Sequence, residues 1–147
     1  MKIRTMELAD LTSVAKLLNA YRVFYQKEFD HEGCYTFLKA RFEANQSVVF
    51  VAEVSSEIVG FTQLYPIFST VSLQRAYLLN DLFVVPEARK TGAGASLIQA
   101  TFSYAQENGA SYVTLETGVD NTTAQRLYQR MGMAVDNGVY HFTKSYS

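Results

Sequence analysis

A cationic, glycine-containing loop carries the strongest chemical signal in this sequence. It follows an apolar segment, 82–85, and precedes a stretch in which apolar residues recur at helical spacing. The start of a helix leaves backbone N–H groups without partners and carries partial positive charge. Gly92 and Gly94 have no Cβ, so an anion can approach the backbone closely. Arg89 and Lys90 add full positive charges, and the pattern therefore predicts a phosphate site.

Two common phosphate-binding loops do not match this one. A Walker loop ends in Gly-Lys-Ser/Thr, and no Gly-Lys pair occurs in the chain. A dinucleotide fingerprint requires a third glycine three residues after the second, where this chain has Leu97. The alternative interpretation is an ordinary glycine turn that only joins a strand to a helix.

Composition limits the class of protein. A chain of 147 residues is typical of one domain, and we expect a single domain over 1–147. The formal net charge of −1 gives no reason to expect nucleic acid or an anionic membrane as a partner. Cys34 is the only cysteine, which excludes an internal disulfide and favours a cytoplasmic location. His31 and His141 stand far apart in the sequence, so we predict no metal site.

The periodicity of apolar residues predicts alternating strands and helices, in an order typical of a layered α/β or α+β domain. Helices are expected at 8–20, 32–44, 93–107 and 121–132. Strands are expected at 3–6, 47–54, 58–65, 76–85, 112–117, 133–136 and 139–144, with a loop at 66–74 that begins at Pro66.

A second motif lies in the last predicted helix. Asn121 is a strong N-cap residue, and Gly132 suits the position after the last turn. Ala124, Leu127 and Tyr128 fall on one face of this helix. Taken alone, this pattern describes a capped helix with an apolar face, in which Tyr128 is a core aromatic residue.

Together, the two motifs resemble the signatures of the GNAT superfamily of N-acetyltransferases. Arg-x-x-Gly-x-Gly at 89–94, after Leu-x-Val-x-Pro at 82–86, is similar to the acetyl-CoA-binding loop of that family. Asn-x-x-Ala-x-x-Leu-Tyr at 121–128 is similar to its second signature, and residues 80–84 are closest to the small branch that acetylates histones and simple amines. The resemblance implies a mixed, mostly antiparallel central sheet of about six to seven strands, flanked by about four helices.

The resemblance also implies a function. It implies an enzyme that moves the acetyl group of its co-substrate acetyl-CoA directly to a primary amine through a ternary complex. The amine would belong to a small amine, an amino acid, or a protein lysine or N-terminus. The backbone at Leu82, Phe83 and Val84 would hold the pantetheine arm and the thioester carbonyl, and Asn121 would touch the CoA arm. The pyrophosphate would be held by Arg89 and by the N–H groups of Lys90, Thr91, Gly92, Ala93, Gly94 and Ala95.

Acetylation of an amine requires two proton transfers. The resemblance places Tyr128 beside the thioester sulfur, where a tyrosine hydroxyl can protonate the leaving thiolate. Alkylamines are mostly protonated at neutral pH, so a base must take a proton before attack. Several family members have a glutamate at the position of Asn80, which cannot act as a base. The open alternatives are Glu116 on the predicted strand 112–117, Asp81, and a chain of water molecules.

The sequence does not decide which residues bind the amine that accepts the acetyl group. Aromatic and acidic residues at 21–25, 28–32 and 64–68 could receive a cationic amine, or they could form core and a solvated loop. The aromatic excess also suits a subunit interface, and we expect a homodimer. Two other functions compete with catalysis. One is a non-catalytic CoA-binding sensor, and the other is a nucleotide-binding domain that uses the same loop for a different phosphate ligand.

Overall fold

The chain forms two compact units in a computed structural model that describes residues 1–146. The first unit, Met1–Glu116, holds all the described strands and three of the described helices, and the second unit begins at Thr117. The strands are β1 (Lys2–Thr5), β2 (Val48–Val54), β3 (Glu57–Ser69), β4 (Gln74–Val84) and β5 (Val113–Thr114). The helices are α1 (Leu11–Phe24), α2 (His31–Glu43), α3 (Ala93–Glu107) and, in the second unit, α4 (Thr122–Arg130).

The five strands form one mostly antiparallel sheet in the order β1-β2-β3-β4-β5. Neighbours from β1 to β4 pair antiparallel, and β5 pairs parallel with β4 at Tyr77 and Leu78 only. Beyond Leu78, no described strand pairs with this edge of β4. The mixed α/β class expected from the sequence is confirmed.

The expected count of six to seven strands was wrong, because five strands form in the described residues. No strand is present at 133–136 or 139–144 within the described part of the chain. Tyr140 is 92% exposed and Phe142 is 95% exposed. Alternating residue types indicate a strand only when a neighbour completes the hydrogen-bond ladder, and the described residues provide none there.

The predicted loop at 66–74 was also wrong, because β3 continues through Pro66 to Ser69 and pairs there with β4. Pairing between β2 and β3 extends only as far as Leu64. Pro66 therefore lies where one edge of β3 has no partner strand, which is where a sheet tolerates proline.

Helices cover both faces of the sheet in the first unit. Helices α1 and α2 pack against one face, in a cluster that includes Val51 and Phe61. Helix α3 lies on the other face, where the Tyr104 ring contacts Phe50 and Tyr77. Because side chains alternate along a strand, Gln63 lies on the same face of β3 as Phe61, towards α1 and α2.

Candidate active site

The loop between β4 and α3 presents unpaired amides. Gly92 is the N-cap of α3 with φ of +89°, in the left-handed region that glycine adopts without strain. The first hydrogen bond of this helix runs from the Ser96 N–H to the Gly92 carbonyl, at 2.9 Å. The N–H groups of Ala93, Gly94 and Ala95 precede that bond, and no side chain of the described residues caps the helix.

The space beside this helix start is open. A Cβ at Gly92 would have no protein atom within 4 Å. Lys90 also has a positive φ, +68°, which is uncommon for a residue with a side chain. Open space next to several amides at a helix N-terminus fits a phosphate group. The residues predicted to hold the pyrophosphate thus lie together in a suitable arrangement.

Arg89 and Thr91 fix the loop to its surroundings. The Arg89 Nε donates to the Val84 carbonyl at 3.0 Å, and the guanidinium carbon lies 5.7 Å from the centre of the Phe83 ring. The Thr91 hydroxyl donates to the Ala88 carbonyl. The positive charge of Arg89 is therefore held at the end of β4, beside the segment predicted to hold the pantetheine arm.

A β-bulge interrupts β4 just before that segment. Pairing with β3 changes from Gln63 opposite Asp81 to Leu64 opposite Leu79, so Asn80 is the extra residue. Bulges redirect side chains and are common next to active sites. The Asn80 Nδ2 donates to the Asp81 Oδ1 at 3.0 Å.

Asp81 is a buried carboxyl group held by neutral partners. It is 6% exposed, and its Oδ2 accepts from the Gln63 Nε2 at 2.7 Å. Burial raises the pKa of Asp81 above its ordinary value, although the hydrogen bonds from Gln63 and Asn80 act in the opposite direction. A carboxylate with a raised pKa accepts protons more readily than an exposed one, which suits a general base.

Gln63 and Arg41 were missed by the sequence analysis as site residues, whereas Tyr65 lies in the segment 64–68 that it considered for the acceptor. Gln63 is fully buried beside Asp81, and its Oε1 has no hydrogen-bond partner. Burial and the charge of Asp81 raise the pKa of Tyr65, whereas the charge of Arg41 lowers it. No sequence motif marks Gln63, Tyr65 or Arg41, because their relation to Asp81 depends on strand pairing and helix packing.

Glu116 does not lie on a strand, which corrects the predicted strand 112–117. β5 ends at Thr114, because its pairing with β4 covers only two positions. The strand alternation that placed Glu116 on the same face as Tyr112 and Thr114 therefore does not apply. Glu116 is exposed at the end of the first unit, and its role as a base stays a prediction.

The second unit contains the other motif. The Asn121 Oδ1 accepts from the Ala124 N–H at 3.2 Å, which confirms the predicted N-cap of α4. Gly132 has φ of +97°, and the Met133 N–H donates to the Tyr128 carbonyl at 3.0 Å. Tyr128 is half-buried on this helix. The predicted ends of α4 are thus confirmed, while the contacts of Asn121 and Tyr128 with CoA stay predictions.

Two further features concern metals and membranes. Among residues 1–146, no group of three or more His, Cys, Asp and Glu side chains is placed to hold a metal ion. No helix in that range is both long and apolar enough to cross a membrane.

A mostly antiparallel sheet with an amide-lined loop after its fourth strand is the arrangement that the resemblance to GNAT acetyltransferases implied. The profile of the acetyltransferase (GNAT) family matches residues 14–133, and the chain belongs to this family. It is an acetyl-CoA-dependent acetyltransferase.

Related proteins agree with this assignment. The chain is 48% identical over 142 residues to the uncharacterized N-acetyltransferase YhfO of Bacillus subtilis (strain 168), covering 97% of this chain and 95% of that protein. A crystal structure of a probable acetyltransferase is similar with a TM-score of 0.94 and 35% identity, covering 100% of this chain and 99% of the other. An aminoglycoside N-acetyltransferase solved in complex with CoA shares the fold, with a TM-score of 0.79, 20% identity, and coverage of 99% and 100%.

Proposed function

We propose that this enzyme transfers the acetyl group of acetyl-CoA directly to a primary amine in a ternary complex. The observation that carries this proposal is the sequence of features along β4. A buried carboxyl group, Asp81, is followed by a strand edge that has no partner strand among residues 1–146, and then by an amide-lined loop. A base, a surface for an extended ligand and a phosphate site therefore follow one another within one continuous segment.

The residues of this segment have separate tasks in binding. Amides from Lys90 to Ala95, with Arg89, bind the pyrophosphate. The backbone of Leu82, Phe83 and Val84 provides hydrogen-bonding groups along the edge of β4 with which no described strand pairs. Acetyl-CoA supplies the activated acetyl group as a thioester. N–H groups near its carbonyl oxygen would stabilise developing negative charge by roughly 3–4 kcal/mol per donor.

We infer that Asp81, rather than Glu116, takes the proton of the attacking amine. Burial raises the pKa of Asp81, and both side chains that donate to it are neutral. Its proton affinity is therefore higher than that of an exposed aspartate. With an exposed fraction of 6%, Asp81 would accept the proton directly or through one water molecule.

Cys34 supports direct transfer rather than an acetylated enzyme. It is the only cysteine of the chain and is 3% exposed in the core. Burial raises the pKa of the Cys34 thiol, although Arg22 acts in the opposite direction, so little of the nucleophilic thiolate forms.

Kinetics should therefore follow a sequential pattern. Double-reciprocal plots of initial rate against acetyl-CoA, at several amine concentrations, are expected to intersect, and Cys34→Ala should retain kcat. Parallel lines together with an inactive, folded Cys34→Ala protein would contradict direct transfer.

Tyr128→Phe is expected to lower kcat about 100-fold while CoA affinity is largely retained. The substitution removes the hydroxyl that protonates the leaving thiolate, and a positioned acid typically contributes at least this factor. Steady-state thiol release and calorimetric titration with CoA measure the two quantities. Normal turnover of Tyr128→Phe would reject the role of this residue as the acid and leave the rest of the proposal intact.

The proposed function itself is tested by thiol release from acetyl-CoA in the presence of amines, amino acids and basic peptides. Release that requires an amine, with an acetylated amine found by mass spectrometry, is the expected result. Tight CoA binding without release for any amine would instead indicate a CoA sensor.

A further inference from the structure

An arginine of α2 has an unsatisfied, buried donor. The Arg41 Nε is buried without a hydrogen-bond partner, and the guanidinium carbon lies 4.6 Å from the centre of the Phe37 ring. In the described part of the chain, Arg41 forms no ion pair. A guanidinium partly removed from water is stabilised by an anion, and its planar donors match a carboxylate.

Arg41 lies at the margin of the buried side of α2 and is itself half-buried. Leu38 and Cys34 are buried core residues on this helix, 1% and 3% exposed, and they pack in the same cluster as Phe61 of β3. Arg41 follows Leu38 by three residues, so it lies about one helical turn further along the same side of α2 as Cys34 and Leu38. From Phe61, the same face of β3 continues through Gln63 to Tyr65.

Tyr65 connects Arg41 electrostatically to the proposed base. Its hydroxyl feels the negative charge of Asp81 and the positive charge of Arg41, with opposite effects on its pKa. Arg41 does not pair with Asp81, whose carboxylate oxygens accept from Gln63 and Asn80. Gln63 pairs opposite Asp81, and Tyr65 follows Gln63 by two residues on the same face of β3, so the strand pairing places Tyr65 on the side of the proposed base. The charge of Arg41 acts on the same tyrosine. This arrangement is complementary to a molecule that carries an ammonium group and a carboxylate.

Building on the proposed function, we propose that the acceptor is a free amino acid, whose carboxylate binds the Arg41 guanidinium while its amino group faces Asp81. In the reaction, a bond forms between the amine nitrogen and the acetyl carbon, and the bond from that carbon to sulfur breaks. The ammonium group loses two protons. One passes through Asp81 to solvent. The other replaces the proton that Tyr128 gives to the sulfur, which leaves as the CoA thiol.

Matched acceptors test this proposal. Each free amino acid is compared with its decarboxylated amine and its amide, for example phenylalanine with 2-phenylethylamine and phenylalaninamide. The wild-type enzyme should show a kcat/KM about 10-fold to 100-fold higher for the amino acid, the range expected for charge-assisted hydrogen bonds. Arg41→Met should remove this preference mainly by raising KM for the amino acid, because carboxylate binding is shared by ground state and transition state. Rates with the decarboxylated amine should stay unchanged.

Two further variants complete the test. Lys39→Met removes a positive charge from an exposed position of the same helix and should leave the preference intact. Arg41→Lys keeps the positive charge but lacks the planar, paired donors of a guanidinium group, so it should partially lower the preference for amino acids over amines. This variant also provides a test if Arg41→Met does not fold. Equal effects of the Arg41 substitutions on amino acids and amines, or wild-type activity only on amines without a carboxylate, would overturn the proposal and leave the proposed acetyl transfer standing. Absence of thiol release with every amine would instead remove the proposed function and this inference together.

Discussion

Gly94→Val is expected to weaken CoA binding about 100-fold or more while the protein stays folded. Gly94 lies in the first turn of α3 between Ala93 and Ala95, where three amides precede the first intrahelical bond. A branched side chain at this position would stand in the path of a phosphate, and each lost hydrogen bond to a charged group costs about 1.5–3 kcal/mol. Valine has a somewhat better helix propensity than glycine, so the stability of the fold should not fall. Calorimetric titration with CoA and a thermal melt measure the two effects.

Gly92→Val should cause the same loss of CoA binding but also a loss of stability. Its φ of +89° is unfavourable for a branched residue, although a Cβ there would meet no protein atom within 4 Å. Gly109, just after the other end of α3, is the matched control, with φ of +71° and equally open surroundings. Gly109→Val should lower stability to a similar extent and keep CoA affinity. Normal CoA affinity in folded Gly92→Val and Gly94→Val proteins would rule out the phosphate site.

Asp81→Asn is expected to lower turnover by about 100-fold to 10,000-fold, the usual contribution of a general base. The substitution removes the group that accepts the amine proton. An asparagine oxygen can still accept from the Gln63 Nε2, whereas the hydrogen bond from the Asn80 amide to the second oxygen is lost. Rates of thiol release measure the loss, and Glu116→Gln serves as the comparison. A large loss in Glu116→Gln, with normal turnover in Asp81→Asn, would transfer the role of base to Glu116.

The same substitution should raise the free energy of unfolding at neutral pH. Burial raises the pKa of Asp81 from 3.8, so the folded state binds more protons than the unfolded state between the two pKa values. The contribution of protonated Asp81 to the free energy of unfolding is therefore fully present below the unfolded pKa. It is lost as pH rises through the folded pKa. Asparagine does not ionise, so its advantage should be largest at neutral pH and disappear towards about pH 4. Urea denaturation at both pH values checks this difference, and equal stability of the two proteins at neutral pH would contradict it.

The pH dependence of catalysis provides an independent check on Asp81. In the wild type, the acidic limb of kcat/KM should lie above the range of an exposed aspartate, since burial raises the pKa of Asp81. The residual activity of Asp81→Asn should lack this limb.

The sequence by itself determined the local parts of the site. The bounds of α3, 93–107, and the N-cap of α4 at Asn121 were predicted correctly. Helix caps, left-handed glycines and helical periodicity depend on residues within a few positions of each other. The loop that we propose to bind phosphate could be recognised for the same reason, because its amides, glycines and cations are consecutive in the chain.

Only the tertiary structure decided the surroundings of the proposed base and acceptor. Gln63 meets Asp81 across two strands, and the bulge at Asn80 that sets this register depends on their pairing. The end of β5 before Glu116 and the passage of β3 through Pro66 likewise depend on which neighbouring strand is present. Burial gives Asp81 its raised pKa and leaves the Arg41 Nε without a partner. Such properties arise from residues that are distant in sequence and adjacent in space, so local patterns do not encode them in a recognisable form.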